Sequence, residues 1–92
     1  MLTAFVLLKV DRDKVNEVAE QLVDMKGVAE VHSVAGRCDL IAIIRVHTNE
    51  HLADLVTEHI RQLKGIHDSE TLIGFRVYST YDLERLFSLG MD

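Results

Sequence analysis

Apolar positions along the chain alternate between a two-residue period and a helical one. Leu2 to Val10 reads LTAFVLLKV. Leu2, Ala4, Val6, Leu8 and Val10 form one alternating set, and Thr3, Phe5, Leu7 and Lys9 form a second that is also largely apolar. That is the pattern of a strand buried on both sides. Asp11 or Asp13 then offers a side-chain cap to a helix. Its Val15, Val18, Ala19, Leu22 and Met25 recur at i, i+3, i+4, i+7 spacing, and Gly27 stops it. Val28 to Ala35 predicts a second strand, Gly36-Arg37-Cys38 a short turn, and Asp39 to His47 a third strand with the apolar centre LIAII. Thr48 or Asn49 caps a second helix with Leu52, Leu55, Val56, Ile60 and Leu63 in register, ended by Gly65. Glu70 to Thr80 predicts a fourth strand. The tail from Asp82, with Leu83, Leu86, Phe87 and Leu89, predicts a short amphipathic helix. The expected organisation is one domain over residues 1–80 and a helical tail over 81–92.

The pattern repeats. Sliding the chain by 38 positions without gaps brings Leu2 onto Leu40, Ala4 onto Ala42, Val6 onto Ile44 and Leu8 onto Val46. Val18 then meets Val56, Leu22 meets Ile60, and Lys26-Gly27-Val28 meets Lys64-Gly65-Ile66. Two βαβ units follow one another, and a helical crossover makes the strands within each unit parallel. Their economical closure is a ferredoxin-like βαββαβ sandwich of the α+β class, with an antiparallel sheet of order 4-1-3-2 and both helices on one face. The opposite face still carries apolar residues from the first and third strands. A patch of that kind associates, so a dimer packed sheet on sheet is expected.

Composition narrows the function. With 48% hydrophobic and 27% charged residues over 92 positions, the chain has apolar material enough for one globular domain. The longest apolar runs, Phe5 to Leu8 and Leu40 to Ile44, fall far short of the roughly 20 residues a membrane span needs, and no basic leader precedes the first strand. A single cysteine, Cys38, forms no internal disulfide, consistent with a reducing cytoplasm. The net charge of −5 and the scattered Lys and Arg argue against direct DNA binding, which leans on a basic footprint.

Few positions invite chemistry. His47 and His51 lie four apart, but one ends a strand and the other opens a helix, and no third metal ligand follows at a recognisable spacing. His59 reads as a buried helix-stripe residue, and His32 and His67 as surface positions. Cys38 has Arg37 beside it but no base in sequence context to activate it. The serines lack a nucleophile-elbow or SxxK setting. No catalytic residue, metal or cofactor is expected. The turn at Gly36 is more informative. Glycine suits a positive-φ turn, successive N–H groups there can form an anion-binding concavity, and Arg37 and Asp39 add one charge of each sign. That set suits a zwitterion; the plainer alternative is a hairpin turn with a solvated charge pair.

From Gly27-Val28 through VHSVAGRCDLIAIIRV to LKGIHDSETLIGFRVYS, the chain resembles the Lrp/AsnC ligand-binding (RAM) domain, most specifically in the glycine-x-x-aspartate turn from Val34 to Asp39 and in Thr71. The resemblance implies dimers built through the sheets and rings of four or five dimers. It also implies an amino-acid effector held between dimers, with turn amides on its carboxylate and an aspartate facing its amine. Carried onto this sequence, those positions are Gly36, Arg37 and Asp39, with Ala35 and Cys38 lining the turn and Thr71 and Ser69 supplied from the last strand of a neighbour. Ala35 stands where the family often has threonine, and Cys38 where it often has an aromatic residue. The sequence starts directly at the first strand, so a stand-alone module without the family's helix-turn-helix domain is expected. It would bind an amino acid or related metabolite and modulate transcription by co-assembly with a full-length regulator, or serve a metabolic enzyme. Two rivals share the fold: an ACT-type regulatory subunit, and a dimeric α+β barrel enzyme of the small-monooxygenase kind, for which His59 is the candidate group.

Overall fold

The two most apolar segments lie side by side at the centre of the sheet. In the computed structural model, which describes residues 1–80, they are β1 (Leu2–Val10) and β3 (Leu40–Val46), antiparallel and in register from Leu2 opposite Val46 to Leu8 opposite Leu40. The edges are β2 (Val28–Ser33) beside β3 and β4 (Ile66–Ile73) beside β1, giving the order β2-β3-β1-β4. This is the ferredoxin-like α+β sandwich the repeat predicts. Between the strands run α1 (Val15–Val23), entered through a 3-10 turn at Arg12–Lys14, and α2 (Asn49–Asp54). The latter continues as a π-type turn, Leu55–His59, and a 3-10 turn, Ile60–Gln62.

Alternation sets the layers. Ala4, Val6, Leu8 and Val10 of β1 and Leu40, Ala42, Ile44 and Val46 of β3 are buried against Val18 and Leu22 of α1 and Leu52, Leu55 and Ile60 of the second helical segment. The other face of the same strands carries Phe5, Leu7, Ile41 and Ile43, all half-buried. Leu72, opposite Phe5 on β4, extends that apolar strip to the sheet edge.

Several boundaries differ from the sequence reading. The second strand ends at Ser33 rather than Ala35, and the third runs over Leu40–Val46 rather than Asp39 to His47. The fourth strand starts at Ile66 and ends at Ile73, four residues before and seven before the expected limits of Glu70 and Thr80. Neither Asp11 nor Asp13 caps α1 through its side chain; the Asp11 carboxylate instead accepts from His67 of β4. Thr48 does cap α2, its Oγ1 accepting from the His51 N–H at 3.0 Å. The expected helix over the tail lies outside the described residues.

His59 is exposed, not in the buried stripe. The cause is local. The N–H of Ile60 reaches back to the Leu55 carbonyl as well as to Val56, a five-residue step that inserts one extra residue into the turn. The extra residue advances the apolar face, so Ile60 takes the core position that uninterrupted α-geometry would give to His59.

Gly27 and Gly65, related by the 38-residue slide, both adopt φ of 100°. At Gly65 a Cβ would fall 2.9 Å from Lys14 Cβ, and at Gly27 it would fall 3.1 Å from the side chains of Leu55 and Val46. Each glycine carbonyl is claimed by the opposite half of the chain: Gly27 O accepts from Arg45 N at 2.9 Å and Gly65 O from Asp11 N at 2.8 Å.

Candidate functional site

The segment from Val34 to Asp39 joins β2 to β3. It is pinned at its base, where Val34 N donates to Asp39 O at 3.0 Å and Asp39 N donates to Leu8 O at 2.9 Å. The residues between are free of that ladder. Among the described residues, the N–H groups of Ala35, Gly36, Arg37 and Cys38 donate to no backbone carbonyl. Gly36 sits at φ 135°, with open space where a Cβ would be. The requirement for glycine there is therefore conformational, not steric.

The side chains leave the turn in different directions. Cys38 is buried, whereas Ala35, Gly36 and Arg37 are exposed. Arg37 reaches β4, 3.8 Å from the Glu70 carboxylate. Half-buried Asp39 turns back onto β1, and its Oδ2 accepts from the backbone N–H of Val10 at 2.8 Å. That bond falls at the irregularity between Lys9 and Val10 in the pairing of β1 with β4. One carboxylate oxygen is thus committed to the sheet; the other accepts no hydrogen bond among the described residues.

Arg37 and Cys38 line a cleft of ≈ 220 Å³ together with Ser69 and with Leu7, Lys9, Asp68 and Glu70. Three of the seven expected site residues (Arg37, Cys38 and Ser69) line that cleft, Ser69 here being the chain's own and not a neighbour's; Ala35, Gly36 and Asp39 belong to the adjoining turn segment but not to the lining. Thr71 is not among the lining residues. It pairs with core-facing Val6, so its side chain leaves on the helix side of the sheet, opposite to Glu70. Lys9, Asp68 and Glu70 are additions that the sequence reading did not name. They face one another because β1 and β4 pair with Lys9 opposite Asp68 and Leu7 opposite Glu70. The available signal was the alternation that puts Leu7 and Lys9 on one face; the missing piece was the β4 register.

The chain is thus a ferredoxin-like α+β sandwich whose pinned glycine turn joins β2 to β3 beside the last strand. The family model for the Lrp/AsnC ligand binding domain matches residues 3–83, and the chain belongs to that family. It is 40% identical over 76 residues to an uncharacterised HTH-type transcriptional regulator of Pyrococcus furiosus, covering 79% of this chain and 51% of that protein. The chain spans about half the length of the curated relatives it matches. The crystal structure of a Thermus thermophilus protein superposes with a TM-score of 0.81 at 42% identity, covering 86% of this chain and 99% of that one. A feast or famine regulatory protein from M. tuberculosis, complexed with L-methionine, superposes with a TM-score of 0.72 at 26% identity, covering 87% and 54%. Among the described residues no helix is long and apolar enough to cross a membrane.

Proposed function

We propose that this chain is an effector-binding and assembly module that takes an amino acid or related zwitterionic metabolite at the Gly36–Asp39 turn and modulates transcription by co-assembling with a partner. The observation that carries the reading is the turn itself. Four consecutive N–H groups without backbone acceptors suit a carboxylate, and the remaining oxygen of Asp39 suits an ammonium group. Support also comes from the M. tuberculosis relative, described in complex with a free amino acid. The ligand side chain would lie along the charged cleft of Lys9, Asp68 and Glu70, which favours a polar side chain over a plain aliphatic one.

The apolar strip of Phe5, Leu7, Ile41 and Ile43 is the proposed sheet-on-sheet dimer contact, and dimers joined past the turn would form the ring. In that assembly Ser69 and Thr71 of a neighbour approach the turn. The exposed direction of Thr71, away from its own chain's cleft, suits contact with another copy. Ligand bound at such a seam stabilises the assembly that creates the seam, by mass action. The partner in this reading is a full-length regulator of the same family, in the cytoplasm, with no DNA contact by this chain. An enzyme of the α+β barrel type is disfavoured because His59, its candidate group, lies outside the interior between sheet and helices where that type of site would sit.

Calorimetry against the twenty amino acids tests the reading. One or a few polar amino acids should bind, and Asp39→Asn should lose that binding while remaining folded. Equal affinity in the variant removes Asp39 from recognition, and no binding by any of the twenty rejects the amino-acid reading.

A further inference from the structure

A second cleft, of ≈ 450 Å³, opens between the turn after α1, the exit of β3 and one face of the second helical segment. It shares no lining residue with the cleft beside Gly36. Lys26, Arg45, His47, His51 and His59 line it, and Asp54 is its single carboxylate. Its apolar floor is Val46 and Leu55, both nearly buried, where Gly27 leaves room that a Cβ would take.

The charge arrangement there differs from the rest of the molecule. The chain carries a net −5, and the two histidines outside this cleft each meet a carboxylate, His32 with Glu30 and His67 with Asp11. The five basic side chains lining the cleft are in no ion pair among the described residues. Arg45 contributes longer-range charge to Glu30, which leaves Lys26 and the three imidazoles as the uncommitted donors. The volume lies in the range of small-molecule sites, which pair an apolar lining with a few convergent polar groups. The exposure of His59 that makes this convergence possible follows from the extra residue in the Leu55–His59 turn.

We propose that this cleft binds a small carboxylate with a short apolar body, its carboxylate held by His51, His59, His47 and Lys26 and its hydrocarbon against Val46 and Leu55. The site differs in kind from the turn at Gly36: it gathers the N–H donors of basic side chains around an apolar floor, with Asp54 the one carboxylate in its lining, so it selects an anion over a zwitterion.

The probe is 4-methylpentanoate, titrated into the intact chain while the ring protons of all five histidines are followed by NMR. The signals of His47, His51 and His59 should move together with one saturation curve, and those of His32 and His67 should stay. Acetate, which lacks the apolar body, should bind at least about tenfold more weakly, and the neutral amide 4-methylpentanamide should not saturate. His51→Gln/His59→Gln, at two exposed positions, should keep the circular dichroism of the parent and weaken binding about tenfold or more. The proposal is overturned if the amide or acetate matches 4-methylpentanoate, if all five histidines respond alike, or if the folded double variant binds as the parent does.

Discussion

The carboxylate of Asp39 accepts the backbone N–H of Val10 at 2.8 Å, so the residue proposed to face a ligand's amine also closes the end of the central strand. Two roles on one side chain separate by chemistry. Asp39→Ala removes both and leaves a half-buried N–H without its acceptor, at a cost of about 1–2 kcal/mol. Asp39→Asn keeps an oxygen for Val10 and loses only the charge. Urea denaturation should place the asparagine variant within about 0.5 kcal/mol of the parent and the alanine variant well below it. If the two variants are equally unstable, the Val10 bond is not what Asp39 contributes to the fold.

The glycines should rank by their surroundings. Gly36→Ala meets open space and bears only the positive-φ penalty, about 1 kcal/mol. Gly65→Ala adds a 2.9 Å approach to Lys14 Cβ and should cost clearly more. Thermal denaturation of the two variants side by side checks the order, and a larger loss at Gly36 contradicts it.

The Arg37–Glu70 pair is long and exposed at both ends, so Arg37→Gln should change stability by less than about 0.5 kcal/mol. Its effect should appear in ligand affinity instead, measured by the same calorimetry as Asp39→Asn. A large stability loss would show the pair to be structural.

Ile43 lies opposite Phe5 in the register of the two central strands, on the face without helices. Ile43→Glu places a carboxylate in the proposed sheet-on-sheet contact, where burying it unpaired is prohibitive. Light scattering should show the parent as a dimer or larger and the variant as a monomer with unchanged circular dichroism. An unchanged mass excludes this face as the interface.

Glu30 gives a pH signature. The hydrogen bond to His32, and then its charge, hold the Glu30 carboxyl below the usual carboxylate range. A carboxyl lowered by folding adds stability above its unfolded-state value, and that contribution fades as pH falls through the lowered one. The stability gap between the parent and Glu30→Gln should therefore narrow from about pH 6 to about pH 3. A gap that widens over that interval reverses the assignment.

Much of the fold was legible because its strongest signals are local. The match of Leu2 to Leu40 and Val6 to Ile44 marks the central strands, and the paired glycines mark both helix ends. The start of β4 was not legible. Ile66 to Glu70 reads as mostly polar because an edge strand beyond the helices has little to bury, and only pairing with β1 makes it a strand. His59 was misplaced for a different reason: periodicity assumes constant phase, and the five-residue step from Leu55 to Ile60 breaks it. At the turn, Gly36 and Asp39 stood out by residue type. Lys9, Asp68 and Glu70 did not, because their meeting depends on a strand register that spacing along the chain does not encode.

The crossed bonds of the two glycine carbonyls bear on how the molecule comes apart. In the order β2-β3-β1-β4 no strand lies beside its own half's second strand, and the stop of each half is sealed by a donor from the other. Severing the chain at the Gly36 bend would yield two fragments, each missing its neighbours and its latch. Neither piece has a stable resting form to fall back on, so melting should proceed in one concerted step with no half-folded species along the way.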